Sequence, residues 1–202
     1  MRAITAKDPE HTRQQLLAAA FEEMHEHGFQ SASLERILAK TKVTKGALYH
    51  HFPSKHALGL AVVDELIANM VREWRIVPLL QHDDPLEAIL GAARAEVDAL
   101  TEEDLDRGCP LNNLVQEMSP LDPEFRDHLL AVLNHWHRAI ADALQRGQSK
   151  GHVRKDVDPD DVAWFIVIVY TGTVNFCRLV DPDRLHQAVF SQIQLYARSL
   201  RP

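Results

Sequence analysis

Apolar residues recur at every third or fourth position along almost all of this 202-residue chain. That spacing puts them on one face of a helix and predicts an all-α protein, because half-buried strands would alternate instead. Caps and breakers divide the pattern into nine helices. The first begins near Pro9 or Thr12 and ends before Gly28, and the others span residues 33–40, 45–52, 55–74, 85–100, 111–118, 123–150, 160–179 and 182–200.

One segment admits two interpretations. The run from Val162 to Tyr170 is β-branched and apolar, which is also typical of a buried strand. The Asp158–Pro159 start signal and the lack of a partner strand favour a helix. Because this helix is apolar nearly all round, we expect it to be buried on several sides.

Two short helices joined by a tight turn occupy residues 33–55, with the sequence SLERILAKTKVTKGALYHHFPSK. Ser33 and Thr44 are good N-caps, since their hydroxyls accept bonds from unpaired backbone N–H groups. Pro53 stops the second helix, whose Leu48 is predicted to be buried. Its outer face is small, basic and rich in hydrogen-bonding groups. A helix with such a face fits the major groove of DNA.

The stretch VTKGALYHHFPSK resembles the recognition-helix signature of the TetR family of transcriptional repressors, and the resemblance covers residues 10–57. Leu38 and Lys42 depart from the pattern, where Ala and Gly are common, but neither change removes a DNA-facing group. The resemblance implies a helix-turn-helix DNA-binding domain at residues 1–54. It also implies a larger helical domain for effector binding and dimerisation at residues 55–202.

The same resemblance implies roles for individual side chains. The Lys45 position reads bases, while Tyr49 and Lys55 hold phosphates. Ser33 and Thr44 lie at helix N-termini, where backbone N–H groups favour phosphate. The predicted DNA-binding set is Ser33, Thr44, Lys45, Gly46, Ala47, Tyr49, His50 and Lys55. The competing interpretation is an ordinary solvated helical face.

Charge is distributed unevenly. The chain carries a net −7, which taken whole argues against a nucleic-acid partner. Residues 1–57 nevertheless carry +2 and the remainder −9. A basic patch on an acidic protein is expected when only one face meets phosphate.

Composition excludes several classes of protein. The longest apolar run is nine residues, whereas a membrane span needs about 20. The segment MRAITAKDPEH has no apolar stretch, so we expect no secretory signal. Two cysteines are too few for a disulfide scaffold, and we expect a cytoplasmic protein with both thiols reduced.

No catalytic arrangement is apparent, and we expect neither an enzyme nor a cofactor. The twelve histidines are not arranged as metal ligands. Two pairs are spaced i, i+2, which does not share a helical face. His128 and His135 share a face but lie two turns, about 10 Å, apart, too far for one ion. No metal site is predicted.

Aromatic and amide side chains mix in the C-terminal helices, as in pockets that are mostly apolar with a few polar groups. The predicted effector-binding residues are Asn112, Asn113, Gln116, Trp136, Trp164, Thr171, Asn175 and Phe176, with Phe165 and Tyr170 as further aromatics. Taken singly, each of these residues is by default interpreted as part of the core. The −9 charge of this part of the chain favours an uncharged or weakly cationic, mostly apolar effector over an anion.

The last two helices are predicted to form a homodimer interface as a four-helix bundle with their symmetry mates. The last helix carries an apolar stripe with no later element to cover it, formed by Leu185, Val189, Ile193 and Tyr196. An isologous two-fold contact would bury this stripe.

The main hypothesis is thus a ligand-responsive repressor that binds a palindromic operator as a dimer. A second hypothesis is a redox or electrophile sensor using Cys109, which sits in a Gly-Cys-Pro break where a thiol can be accessible. An inert, packed thiol is the alternative at that position. A third hypothesis is a helical ligand-binding protein or enzyme whose helix-turn-helix is vestigial.

Overall fold

The computed structural model describes residues 9–202, which form helices with no β-strand among them, so the all-α prediction is confirmed. The first eight residues of the predicted N-terminal domain lie outside this range. The α-helices are α1 (Pro9–His27), α2 (Leu34–Ala39), α3 (Lys45–His51), α4 (Lys55–Ala61), α5 (Ala68–Val71), α6 (Val77–Gln81), α7 (Pro85–Ala99), α8 (Glu102–Arg107), α9 (Pro110–Met118), α10 (Pro123–Lys150), α11 (Pro159–Phe176) and α12 (Pro182–Ser199).

The predicted caps set the boundaries of the short helices. The Ser33 hydroxyl accepts from the Glu35 N–H at 3.2 Å and begins α2. The Thr44 hydroxyl accepts from the Ala47 N–H at 3.2 Å and begins α3. Each bond satisfies a backbone donor that the helix itself leaves unpaired.

A buried carboxylate joins α1 to α2. Glu23, fully buried, accepts from the Ser33 N–H at 3.2 Å and from Arg36 Nε, and Lys40 Nζ lies at 3.3 Å. Burial alone would raise the pKa of Glu23, but these hydrogen bonds outweigh it and hold the pKa below its usual value. The ionised side chain therefore fixes the two helices against each other.

Helices α4, α5 and α6 are parts of one connecting helix, residues 55–81, with π-helical turns at Val62–Ile67 and Arg72–Ile76. The prediction that Pro78 breaks this helix after Trp74 is wrong. A proline ring clashes with the carbonyl four residues earlier, and the wider π turn lies just at that point. The helix thus continues to Gln81.

The C-terminal part is built around α10, which packs mainly on α11 and also contacts α7. Phe125, Leu129, Trp136 and Ile140 form its buried face. The ambiguous run lies within α11, so the helical interpretation is confirmed, although α11 ends at Phe176 and not at residue 179.

Helix α8 was not predicted, because its sequence EEDLDR has no apolar stripe. It forms through a capping box. The Thr101 hydroxyl accepts from the Asp104 N–H at 3.1 Å, and the Asp104 carboxylate accepts from the Thr101 N–H at 3.0 Å.

The two parts of the chain meet at Gly59. A Cβ placed there would lie 2.5 Å from the Phe29 ring and 2.7 Å from the Phe125 ring, so only glycine allows this approach. Those two rings pack with centroids 4.5 Å apart. Helix α4 is thereby pressed between the α1–α2 turn and α10.

Candidate nucleic-acid interface and buried polar site

Helix α3 presents one open face. Leu48 is fully buried behind it, while Lys45, Gly46, Tyr49 and His50 are exposed. Thr44 is also exposed, and Ala47 is half-buried on the same helix. Six of the eight predicted DNA-contact positions therefore lie on α3 or at its N-cap, and we call them the α3 face: Thr44, Lys45, Gly46, Ala47, Tyr49 and His50. Ser33, half-buried, caps α2 instead.

Among the described residues, no contact within the chain requires a glycine at position 46. A Cβ placed there would meet nothing within 4 Å, and the residue has no positive φ. Glycine inside a helix costs roughly 0.5–1 kcal/mol relative to alanine. The missing side chain instead leaves room for something that approaches the α3 face from outside.

Lys55, the eighth predicted contact, is used within the fold. Its Nζ donates to the Gln30 carbonyl at 2.9 Å and lies 4.8 Å from the centre of the Phe29 ring. Burial lowers the pKa of Lys55. The structure thus ties Lys55 to the α1–α2 turn and does not present it freely beside the α3 face.

That turn is held from the C-terminal part by Glu117 of α9. Its carboxylate accepts from the backbone N–H groups of Phe29 at 2.8 Å and Gln30 at 2.9 Å. Gly28 has φ +77°, and a Cβ there would lie 2.9 Å from the Glu117 oxygens. We call this arrangement the Glu117 clamp; it couples α9 directly to the start of the helix-turn-helix.

A second contact joins the end of α1 to the segment just before α9. The His25 ring lies 2.7 Å from the Gly108 carbonyl, at the residue before Cys109. Burial lowers the pKa of His25, so its neutral ring donates this bond at neutral pH. Helix α1 is therefore held to the segment that leads into α9.

Cys109 is buried, with only 3% of its surface exposed, which agrees with the packed-thiol alternative and not with an accessible thiol. Its backbone N–H donates to the Asn175 side-chain oxygen at 2.9 Å. The Asn113 side chain donates to the Arg107 carbonyl at 2.8 Å. These two amides hold the backbone of the Gly-Cys-Pro break.

Arg75, from the second π turn, forms a polar cluster in the interior with Glu96 of α7. Arg75 Nη2 lies 2.9 Å from Glu96 Oε1, and Nε lies 3.3 Å from Oε2. The guanidinium carbon stands 4.6 Å from the Trp136 ring centre and 4.5 Å from that of Tyr170. Cys109 Sγ is 4.0 Å from Nη2.

Electrostatics keeps this cluster in its ordinary charge state. Burial alone would lower the pKa of Arg75, but Glu96 more than offsets it and the pKa lies above its usual value. Burial raises the pKa of Tyr170, whose phenol therefore remains protonated. The cluster consists of one ion pair and one neutral hydroxyl.

Two spaces adjoin Arg75. One is a small cavity of about 30 Å³ between α7, α10 and α11, lined by Trp136, Tyr170 and aliphatic side chains. The other is a cleft of about 110 Å³ that reaches Phe21 and His25 of α1 and passes Cys109. Arg75 belongs to the lining of both.

The predicted effector residues are mostly elsewhere. Trp136 lines the small cavity, whereas Trp164 stacks on His137 at 4.3 Å and Phe176 is 58% exposed. The Thr171 hydroxyl donates to the Val167 carbonyl at 2.9 Å. The remaining predicted residues are Asn112, half-buried, Gln116, exposed, and the two amides at the Gly-Cys-Pro break, Asn113 and Asn175. Sequence reasoning found Trp136 and Tyr170 but missed Arg75, since its partners are distant along the chain.

Large apolar side chains are exposed along α11 and α12. Phe165, Ile168, Phe176 and Leu195 keep 44%, 64%, 58% and 54% of their surface exposed, and we call them the open apolar face. The predicted dimer stripe is placed differently, because Leu185, Val189, Ile193 and Tyr196 are half-buried and Ile193 and Val189 line cavities within the chain.

Within residues 9–202, no three His, Cys, Asp or Glu side chains are grouped to hold a metal ion. Across the same residues, every helix is too short or too polar to cross a bilayer.

Two family models match this chain. Residues 16–62 match the model described as bacterial regulatory proteins, tetR family, and residues 85–193 match the tetracyclin repressor-like C-terminal domain. The first match contains the α3 face, and the second contains α7 to most of α12.

Individual proteins give the same picture. The chain is 31% identical to the transcriptional regulator AcuR of Cereibacter sphaeroides over 182 residues, covering 90% of this chain and 83% of that one. It is 27% identical to the HTH-type transcriptional repressor DhaR of a Mycobacterium species, covering 80% of each. A TetR transcriptional regulator from Chloroflexus aurantiacus superposes with a TM-score of 0.83 at 28% identity, covering 94% of this chain and 96% of that one.

Proposed function

This chain belongs to the TetR family of transcriptional regulators, and from that premise we propose that it is a repressor that a small molecule releases from its operator. Proteins of this family are regulators and not enzymes, and they bind operator DNA and dimerise. The repressor role is supported by relatives such as DhaR, which is named a repressor. In this proposal residues 1–54 bind DNA, while residues 55–202 bind the effector and form the dimer.

The observation that carries the proposal is the α3 face. Its exposed glycine, Gly46, is flanked by one cation, Lys45, and followed by the hydrogen-bonding side chains of Tyr49 and His50. A helix enters the major groove where its outer face is small, and side chains at its edges then reach bases and phosphates. In the proposed complex Lys45 contacts base edges and Tyr49 a phosphate.

For Lys55 we propose a structural role in place of the expected phosphate contact. Since its Nζ already donates to the Gln30 carbonyl, it helps to hold the α1–α2 turn. The N-terminus of α4, capped by the Ser54 hydroxyl that accepts from Ala57 N–H at 3.0 Å, remains a place where a phosphate fits.

Dimerisation is proposed through the open apolar face of α11 and α12. Helices α11 and α12 contact each other and carry these large exposed apolar side chains, and exposed apolar surface of this kind commonly marks an interface. A second copy of the chain supplies a matching apolar surface, and a two-fold arrangement presents two α3 faces to one side of a duplex.

The experiment is binding to a duplex that the protein selects from a randomised pool. Lys45→Ala should weaken binding to the selected site by about 1–3 kcal/mol and relax its base preference, as expected for loss of a base contact. The matched control is Lys155→Ala, the same change at an exposed lysine of the C-terminal part. Gel shifts in which the two variants behave alike would refute the assignment of α3.

The cysteine-sensing alternative has one supporting observation. Cys109, although buried, borders the 110 Å³ cleft, and its Sγ lies 4.0 Å from Nη2 of the Arg75 guanidinium. Cys109→Ser separates the alternatives. If an unreactive compound releases both wild type and Cys109→Ser from the operator equally, the thiol has no sensing role; if only electrophiles release wild type and none releases the variant, sensing is covalent.

A further inference from the structure

Arg75 retains an unused nitrogen in the interior. Glu96 occupies Nη2 and Nε, while no residue among positions 9–202 accepts a hydrogen bond from Nη1. Only 10% of the Arg75 side chain is exposed. A buried unpaired donor destabilises the fold, and does so more strongly when its group is charged. Such a group in a folded protein calls for a partner that the chain itself does not supply.

Tyr170 adds a second donor at the same place. Its hydroxyl is also buried and forms no hydrogen bond of ordinary geometry among the described residues, although it lies close enough to Glu96 and Arg75 to interact with both. Both side chains line the small cavity, whose other walls include Leu79, Ile89 and Ile193. Two polar side chains among walls that are otherwise apolar are the usual composition of a site for a small, mostly apolar molecule.

The charges already present decide the kind of molecule. Glu96 neutralises Arg75 at 2.9 Å, so a carboxylate at Nη1 would add a second negative charge close to Glu96 in a poorly solvated site. A cation would face the guanidinium itself. An uncharged acceptor, such as a carbonyl oxygen, accepts from Nη1 and from the Tyr170 hydroxyl without either conflict.

The site is also placed to affect the DNA-binding part. Arg75 belongs to a π-helical turn, a feature often found at functional sites, of the connecting helix that begins at Lys55. The cavity of about 30 Å³ holds about two water molecules, so a larger occupant must displace its walls. One of those walls is the connecting helix itself.

We therefore infer that Arg75 and Tyr170 bind the effector's polar end, and that the effector is a small uncharged molecule with a carbonyl-type acceptor and a short apolar remainder. This inference rests on the proposed function and names the ligand class of the same C-terminal domain. It replaces the amides expected from sequence with a guanidinium and a phenol as the groups that orient the ligand.

The test compares three probes with similar five-carbon chains, namely 2-pentanone, pentanoate and pentylamine, by ligand-observed NMR titration of the full chain. Wild type should bind the ketone at least about tenfold more tightly than either charged probe, because only the ketone leaves the ion pair undisturbed. Tyr170→Phe should weaken ketone binding about three- to tenfold, the value of one hydrogen bond. Its matched control, Tyr196→Phe, changes a tyrosine outside the cavity and should bind as wild type does.

A cavity-filling variant, Ala93→Leu, should abolish ketone binding, since Ala93 lines the same cavity. Tighter binding of pentanoate than of 2-pentanone would overturn the charge argument, and equal ketone binding by Tyr170→Phe and wild type would overturn the site. Absence of binding by every probe, as for a cavity that holds only water, would also overturn the inference. Operator binding by the same wild-type sample separates this failure from a failure of the proposed function.

Discussion

The N-terminal bundle of α1, α2 and α3 buries its large apolar side chains within one chain, whereas the α11–α12 pair leaves several of them exposed. The bundle buries Leu17, Ile37 and Leu48 completely within one chain and leaves a small, polar α3 face outside. The α11–α12 pair leaves Ile168 and Leu195 more than half exposed. A polar helix face is suited to contact with a hydrated duplex, whereas an apolar face is suited to contact with a second copy of itself.

The connection between the two regions is unlike either of them. It consists of specific polar contacts, the Glu117 clamp and the bond between His25 and the Gly108 carbonyl, together with the tight packing at Gly59. Directed hydrogen bonds hold one arrangement more strictly than an apolar contact does. A shift of α9 or of the connecting helix must therefore move the α1–α2 turn.

The largest effect is expected at the open apolar face. Ile168→Glu should leave the fold of one chain intact, because the side chain is 64% exposed, but should place two unpaired charges in the proposed interface. Several kcal/mol of association free energy should be lost, and sedimentation at micromolar concentration should show monomers. Leu121→Glu, the same change at a residue that is 59% exposed outside this face, is the control and should remain dimeric.

If the Ile168→Glu protein sediments as the wild type does, the open apolar face is not the dimer interface, and the proposed contrast between the two regions fails. The interface would then lie elsewhere on the chain.

A smaller effect is expected at the Glu117 clamp. Glu117→Ala removes the acceptor of two backbone N–H groups, and we expect a loss of about 1–3 kcal/mol in the free energy of unfolding. Glu117→Gln keeps one acceptor oxygen and should fall between the two in urea titrations. Equal stability of all three proteins would show that the clamp contributes nothing.

The smallest effect is expected at Gly46. Gly46→Ala should raise the free energy of unfolding by roughly 0.5–1 kcal/mol, since the new methyl group meets nothing in the chain. The same variant should bind the selected duplex less tightly, because the methyl group occupies space on the α3 face. A variant that is more stable and binds equally well would show that this space is not used.

Much of this arrangement could be predicted from sequence, because the information is local. Ser33 and Thr44 cap the helices that their positions indicate, and the apolar stripe of α10 is buried as its spacing predicts. Helix α8 lacks such a stripe and depends on a capping box, which is a weaker signal. Pro78 is a stop signal in most helices, but here a π turn lets the connecting helix continue past it.

The buried polar site could not be predicted in the same way. Arg75 and Glu96 lie 21 residues apart on different helices, and no spacing rule joins them. Asn113 and Asn175 were predicted to bind the effector, but their side chains hold backbone groups around Cys109. Tertiary packing decides which polar groups form hydrogen bonds within the fold and which remain unpaired.

We propose that two chains pair through the open apolar face so that two α3 faces reach one duplex. The most direct measurement is native mass spectrometry of the wild-type protein on its selected duplex and on a duplex that contains half of that site. We predict two chains on the full site, with half-sites about one helical turn, 34–36 Å, or slightly more apart, and much weaker binding to the half-site. One chain on the full site, bound as tightly as to the half-site, would contradict the claim.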